Sequence, residues 1–439
     1  MAADPLPAAA VASQSAWMRR RAHWVSWFSK STLSVADQGL VSGSNFLLNV
    51  LLARWLRPEQ YGAYALGFSI FLLMTAMYQS LVLEPMAVLG PILYADRPKR
   101  YLGALLRSQF FLLLAVAGAL GGASVIAARF GGKAALSGAL AGLAIAAPAV
   151  LVFWLARGAC YLRANLTPVV QGAALYCALL LGGIALVHRF WILNEFSAFL
   201  MVGAASAAVS AHLLRVLAPR WSTRVDPRPG EVSLEHWKFG RWELARSGFD
   251  WAGENISYTL TAAFLGMREV GELKAILTLF LPLSHIYTAL RRLILPHLAS
   301  TSRAHGTSAA NASVTKVNLL TFAMSGFSFV ILIFFGRPIF HLLYGGKFME
   351  VAYLVPWAAL SLVVTAPING FDMGLRALRS PSTVFTASAA GASVSVLFYV
   401  YGTRMFGLPG TIGANIGAGV IYSAITAFLY YRRVSRMRE

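Results

Sequence analysis

The chain has 439 residues, of which 58% are hydrophobic and only 12% are charged. A water-soluble protein carries about twice that share of charge, so a large aqueous domain is excluded and lipid is the expected solvent. The formal charge of +20 does not indicate nucleic acid as a partner, because no polar stretch is long enough to fold a basic face interleaved with aromatics.

Residues 1–30 contain WMRRRAHWVSWFSK (17–30), basic and aromatic with no apolar core before a small-residue cleavage site. The segment therefore reads as a cytoplasmic amphipathic lead-in, with Trp17, Trp24, Trp27 and Phe28 at headgroup level and Arg19–Arg21 toward anionic lipid. Nine stretches free of Lys, Arg, Asp and Glu follow: 60–83, 108–128, 134–156, 164–188, 196–214, 317–336, 351–371, 380–403 and 405–431. At 1.5 Å rise per residue each is long enough to cross a hydrocarbon core about 30 Å thick. Three shorter apolar runs, 38–53, 255–267 and 275–290, read as spans interrupted by charge and bring the expected number to twelve. With both termini cytoplasmic, the inner segments hold 26 of the 37 Lys and Arg residues and the outer loops 10, Lys274 among them. This bias fixes the expected topology.

The expectation is an all-α polytopic membrane protein of two six-helix bundles, residues 31–218 and 241–432. A cytoplasmic linker (219–240) joins them and a cytoplasmic tail (433–439) follows. A parallel repeat supports the division: at an offset of 209, Ala36 falls on Ala245, Gly39 on Gly248, Leu56 on Leu265 and Gly62 on Gly271. The two halves would then be related by an axis along the membrane normal. The first span carries a polar stripe of Asp37, Gln38, Ser42, Asn45 and Asn49, within 140° of one another on a helix. Gly39 and Gly43 beside it have the spacing of a close helix contact. In the seventh span Arg246, Asp250 and Glu254 recur every four residues on one narrow face. Glu254 lies about 16 Å below Leu265, near the midplane. Intramembrane charge rarely faces lipid, so both spans are expected to line a shared cavity, with Trp251 and Tyr258 as its aromatic faces. The plainer alternative is that Arg246 and Asp250 simply pair. Arg54, Glu84, Arg157 and Arg291 are expected at the cavity mouths. Pro85 and Pro91 predict a kink, Pro282 a helix break, and Asp372 with Arg376 an interfacial ion pair. Cys160 and Cys177 lack metal-ligand spacing and read as packing residues.

Three motifs carry a family resemblance. LLARWLRPEQYGAYAL (51–66) resembles the first external turn of the polysaccharide flippases, matching at Ala53, Arg54, Leu56, Pro58, Glu59, Tyr61 and Gly62; Arg57 stands where Gly is common. LLYGGKFMEVAYLVPWAAL (342–360) and FGLPGTIGANIGAGVIY (406–422) resemble two further stretches of that family. The family is the lipid-linked oligosaccharide branch of the multidrug/oligosaccharidyl-lipid/polysaccharide (MOP) exporter superfamily. The resemblance implies a V-shaped pair of bundles alternating between inward- and outward-open states. The implied cargo is a sugar chain on a polyprenyl diphosphate, moved across the bacterial inner membrane. Arg246 would suit the diphosphate, while Asp37, Asp250 and Glu254 oppose it and leave room for coupling to protons or sodium. A polysaccharide polymerase is a possible partner at the linker. The rival reading is a cation-coupled drug antiporter of the same superfamily. A membrane glycosyl-transfer enzyme is disfavoured by the short outer loops, and no nucleotide-binding loop points to ATP hydrolysis or another cofactor.

Overall fold

The computed structural model describes residues 8–131, 134–163, 165–220, 227–378 and 380–436. The aromatic lead-in expected over residues 1–30 lies outside the described side chains, as do 221–226 of the linker and 437–439 of the tail. All regular structure among the described residues is helical. The first part of the chain forms α1 (Ala8–Trp55), α2 (Pro58–Tyr78), a π-helical turn (Gln79–Leu83), α3 (Glu84–Leu93), α4 (Pro98–Ser108), α5 (Phe110–Gly131), α6 (Ala134–Leu162), α7 (Thr167–Arg189) and α8 (Glu195–Leu217). The second forms α9 (Pro229–Phe264), α10 (Met267–Thr278), α11 (Leu281–Tyr344), a 3-10 turn (Met349–Leu354), α12 (Val355–Ala377) and α13 (Pro381–Ser435).

Eight stretches among the described residues are long and apolar enough to cross a membrane. They overlap all nine charge-free segments of the sequence, the last two merged within Ser382–Ser435. α1, α9 and α10 are not among them, in keeping with their polar and charged residues. Two long elements double back. In α13 the backbone turns at Gly407 (φ 64°), and Tyr422 packs against Gly391. In α11 the Tyr287 hydroxyl donates to the Thr321 carbonyl at 3.1 Å, a contact impossible in one straight helix. The break predicted at Pro282 falls between α10 and α11.

Helix starts follow local chemistry. Pro58, Pro98, Pro168, Pro229, Pro282, Pro356 and Pro381 all sit in first turns, where a missing N–H leaves no helical bond unmade. α8 begins with a reciprocal cap: Asn194 Oδ1 accepts from Ser197 N at 2.8 Å, and Ser197 Oγ accepts from Asn194 N at 2.9 Å.

Pro85 shapes the middle of the fold. It has no N–H to give to the carbonyl of Leu81, four residues back, and its ring crowds that oxygen. The helix responds with the π turn, in which the Glu84 N–H reaches the Gln79 carbonyl. The freed Leu81 carbonyl accepts from Nδ1 of His236 at 3.2 Å. This fixes the tautomer: Nε2 then accepts from the Tyr101 hydroxyl at 2.8 Å. One turn beyond His236, Gly240 lies so close to the Ser80 carbonyl that a side chain would not fit. Pro85 thereby creates the acceptor that ties α9 to the α2–α3 helix.

The GxxxG spacing at Gly39 and Gly43 makes no close contact, since nothing lies within 4 Å of a side chain built at either. Spacing alone marks a face open to approach, not a partner that uses it. A tight crossing occurs instead between Gly62 of α2 and Gly271 of α10.

Burial pushes the His236 imidazole from its ordinary 6.5 down to about 4. This residue precedes the apolar part of α9. Above pH 6.5 the ring is neutral whether folded or unfolded and contributes no pH dependence. Between about 6.5 and 4 only the unfolded form takes up the proton, so stability falls as pH falls through that window. Thermal unfolding in detergent at pH 7 and pH 5 is expected to show a larger acid loss for the wild type than for His236→Gln. Equal losses would mean that His236 is not buried as described.

A candidate site in the cleft between α2 and α9

The π turn and the charged face of α9 meet in a cleft of about 320 Å³. Leu72 and Ala76 of α2, Gln79 and Ser80 of the π turn and Glu84 of α3 form one wall. Glu243, Arg246, Ser247, Asp250, Trp251, Glu254 and Asn255 of α9 form the other. The walls are tied at two heights. Trp251 Nε1 donates to the Ser69 carbonyl at 2.8 Å, and the Ser80 and Ser247 hydroxyls meet at 3.3 Å. A π turn widens the helix locally and displaces its side chains, which turns Gln79 and Ser80 into the cleft wall.

Charge in the cleft is unevenly shared. The Arg246 guanidinium is held by two carboxylates of its own helix: Nε lies 3.0 Å from Glu243, and Nη1 binds Asp250. The plainer expectation, that Arg246 pairs with Asp250, is therefore met. Glu84, Glu243, Asp250 and Glu254 set four carboxyl groups against one guanidinium in the lining. A guanidinium clamped between carboxylates is poorly placed to receive an anion until one of them lets go.

The structure brings Arg246, Asp250, Trp251 and Glu254 together in one cleft, and Glu84, expected at a mouth, lines it with them. It does not bring the polar stripe of α1 to them, because none of those residues lines the cleft. Asp37 is 1% exposed and faces α6. There it accepts from Arg157 (Nη2 at 2.5 Å) and from the Tyr161 hydroxyl at 2.5 Å. Arg157 is thus an internal counter-charge and does not line a mouth of the cleft. Gln38 donates to Ser42 at 2.9 Å and accepts from Arg157 at 3.3 Å. Asn45 accepts from the Tyr176 hydroxyl of α7 at 3.2 Å. Asn49 donates to the Asn45 carbonyl, and its own Oδ1 is buried without a partner among the described residues. A polar stripe in lipid must be satisfied, and here α6 and α7 satisfy most of it.

The remaining residues fall elsewhere. Arg291 binds Asp372, which also accepts from Arg376 Nε at 2.8 Å, so the predicted Asp372–Arg376 pair is a triad joining α11 to α12. Arg54 lies at the end of α1 against Gly345. Tyr258 is buried beside Lys274, whose Nζ is 4.9 Å from the Phe68 ring centroid and 5.7 Å from that of Tyr258. Lys274 was expected in an outer loop. It is 6% exposed within α10, its ammonium resting on aromatic faces. Sequence reading also passed over Glu243, although its position three residues before Arg246 was a legible signal. Gln79, Ser80 and Asn255 gave no signal, because nothing in the sequence announced the π turn's side-chain directions.

Two of the sequence motifs converge in space. Gly345 (φ 62°) and Gly346 (φ 91°) turn the chain after α11, and Lys347 Nζ then donates to the carbonyls of Arg54 at 2.6 Å and Leu56 at 2.8 Å. The last carbonyls of α1 lack helical partners, so a cation is well placed there. The Tyr344 hydroxyl donates to the Ala275 carbonyl at 2.9 Å, and the Tyr61 and Phe348 rings lie 6.1 Å apart.

A sequence profile of the family described as polysaccharide biosynthesis protein matches residues 51–353. Comparison with curated proteins by sequence gives no match. Among solved structures the chain resembles an inward-facing multidrug-resistance MATE transporter of the MOP superfamily, with TM-score 0.76 and 12% identity over 91% of this chain and 95% of that one. It also resembles the lipid II flippase MurJ in an inward closed conformation, with TM-score 0.71 and 11% identity over 93% and 90%. A MOP superfamily transporter from Pyrococcus furiosus, described as having a binding pocket of reversed polarity, gives TM-score 0.61 and 12% identity over 94% of both chains. At these identities the likeness establishes the shared fold.

The Asp37–Arg157 pair yields a stability prediction. Asp37→Asn strands a guanidinium in a buried site and is expected to cost about 3–5 kcal/mol. The double variant Asp37→Leu/Arg157→Met removes both charges and should recover most of the loss. Chemical or thermal unfolding in detergent measures both, and a single variant as stable as wild type would contradict the buried pair.

Proposed function

As the chain belongs to the polysaccharide biosynthesis protein family and has the fold of MOP transporters, we propose that it is a flippase. Its cargo in this reading is an oligosaccharide on a polyprenyl diphosphate, carried across the bacterial inner membrane by alternating access of two six-helix halves. Both termini face the cytoplasm. The observation that carries the reading is the α2–α9 cleft, a polar, charged space between apolar helices. A sugar headgroup cannot cross about 30 Å of hydrocarbon without losing its hydration. Gln79, Ser80, Ser247 and Asn255 supply partners for hydroxyls, and Trp251 supplies a flat aromatic face. The lipid tail stays in the bilayer.

Arg246 is the cleft's cation and, on this reading, meets the diphosphate. The clamp from Glu243 and Asp250 gives the encounter a condition: at least one carboxylate must be neutralised, by a proton or a metal cation, before the guanidinium turns to phosphate. Cation coupling and anion binding then act on the same atoms in sequence. Product removal could still drive transport, and a polymerase docked at the linker would supply that removal.

A second reading is favoured by a specific observation. Four carboxyl groups against one guanidinium suit a cationic cargo, as in a cation-coupled antiporter of small molecules.

Proteoliposomes containing a fluorescent lipid-linked sugar separate the two. The wild type is expected to move it. Arg246→Ala is expected to lose at least about tenfold in rate, equivalent to about 1.4 kcal/mol. Glu254→Gln should alter dependence on an imposed proton or sodium gradient. Wild-type rates in both variants, with folding verified, would make the charges structural. Efflux of an organic cation without sugar-lipid movement would establish the antiporter.

A further inference from the structure

The opening turns of α9 (Pro229–Phe264) have two opposite faces. At helical spacing Val232, His236 and Gly240 fall within about 80° of one another, and all three are buried. His236 is held by the Leu81 carbonyl and the Tyr101 hydroxyl, and Gly240 lies against the Ser80 carbonyl. This face fastens the segment to the π turn and to α4. Leu234, Trp237, Lys238 and Arg241 fall within about 100° on the other side, and all four are exposed. Leu234 is 53% and Trp237 50% exposed. Apolar and basic residues interleaved on the free side of a helix are the pattern of a segment lying in a membrane surface. Long basic side chains let their stems rest in the acyl region while the charge stays among headgroups.

The depth of the stripe agrees with this. The charge-free stretch 60–83 runs along the neighbouring helix. At helical rise Leu81 is about 31 Å from Gln60, the thickness of the hydrocarbon core. The hydrogen bond to Leu81 therefore puts His236, and with it the exposed stripe, at the boundary between hydrocarbon and headgroups.

Charge gathers at the same level. Arg220 N donates to the Lys99 carbonyl at 2.9 Å, and Gly103 leaves no room for a side chain against the Arg220 carbonyl. With Tyr101 bonded to His236, this brings Lys99, Arg100 and Arg220, all exposed, to the side of the membrane that holds Lys238 and Arg241. Residues 96–100, 220 and 228–241 together hold seven Lys or Arg and three Asp or Glu. Glu235 competes for Lys238, accepting from it at 2.9 Å. That pair is exposed, so headgroups displace it at little cost. An excess of cations on one side of a membrane needs no dedicated partner. Leu234 and Trp237 exposed between the cations are the added feature, which a purely aqueous partner would not require.

We propose that this shelf of α9 and α4 binds anionic phospholipid headgroups of the adjoining leaflet, with Leu234 and Trp237 in the acyl boundary and Lys238 and Arg241 on the phosphates. Assignment to the inner leaflet rests on the topology proposed above; the binding does not. α9 continues without a break from the shelf to the cleft. The headgroups thereby set the depth at which Arg246, five residues past Arg241, enters the membrane.

The purified full chain, titrated in detergent with short-chain phosphatidylglycerol or phosphatidylcholine, tests this with native mass spectrometry as the readout of bound lipid. Each surface cation contributes about fivefold toward an anionic lipid, so the wild type is expected to favour phosphatidylglycerol by at least about tenfold. The preference should fall to about twofold or less in Lys238→Glu/Arg241→Glu. It should persist in Arg432→Glu/Arg436→Glu, which changes net charge equally at the exposed end of α13. With Cys160 and Cys177 replaced by alanine, a polarity-sensitive fluorophore on Ser233→Cys, beside the shelf, is expected to shift to shorter wavelength with phosphatidylglycerol and to ignore inorganic phosphate at the same concentration. No preference in the wild type, a preference that survives reversal at 238 and 241, or one lost equally in the α13 variant overturns the proposal. A label that answers to phosphate alone marks a bare anion site, and one that answers to neither probe places the lipid elsewhere; either overturns it too. If the charge-reversed variant fails to fold, Lys238→Gln/Arg241→Gln replaces it, with a loss of at least about threefold expected and an unchanged preference counting against the shelf.

Discussion

An ionisable group at hydrocarbon depth must find a partner within the protein, since no water competes for it and no lipid tail can satisfy it. The internal arrangement of this chain follows from how that demand is met. Asp37 finds Arg157 and Tyr161, which fastens α1 to α6. Asp372, expected at the interface, likewise finds Arg291 and Arg376, which fastens α12 to α11. Lys274 finds two aromatic faces in place of a carboxylate. Arg246 finds both its partners on its own helix, so its pairing fastens nothing across the cleft. The first three arrangements hold packed elements together. The fourth leaves a charged group on an unfilled surface, and this separates the candidate site from the scaffold.

The α2–α9 seam shows how one residue's chemistry propagates. Pro85 withdraws an N–H, the helix widens into a π turn, and a freed carbonyl at Leu81 becomes the anchor for His236. The widened turn also presents Gln79 and Ser80 to the cleft. A single imino acid thus supplies both an attachment point and two lining residues.

Much of this was legible in the sequence. The charge-free segments recur as apolar helical stretches because hydrophobic length is a strong signal when lipid is the solvent. The face shared by Arg246, Asp250 and Glu254 was legible from the helical period. What the period could not supply was the neighbour. It put the α1 stripe on one face, but whether α9 or α6 lies opposite is a matter of tertiary packing, and α6 with α7 take most of that face. Lys274 was misplaced because a lysine near the end of an apolar run is ordinarily read as an anchor in the interface. The glycines at 62 and 271 were visible as repeat partners. Their mutual contact was not, because a repeat identifies equivalent positions and leaves the location of the axis open.

Lys347 reaches back 291 residues to the Leu56 carbonyl. The end of α1 is therefore completed by a side chain synthesised long after α1 itself. While the first half of the chain is being inserted, those carbonyls have only water or lipid headgroups to bond. The same is true of Gly62, whose counterpart emerges more than two hundred residues later. The N-terminal half must hold together without either contact, resting on internal pairs such as Asp37 with Arg157. The two halves then join through a seam of high contact order, late and at the cost of a large loop closure.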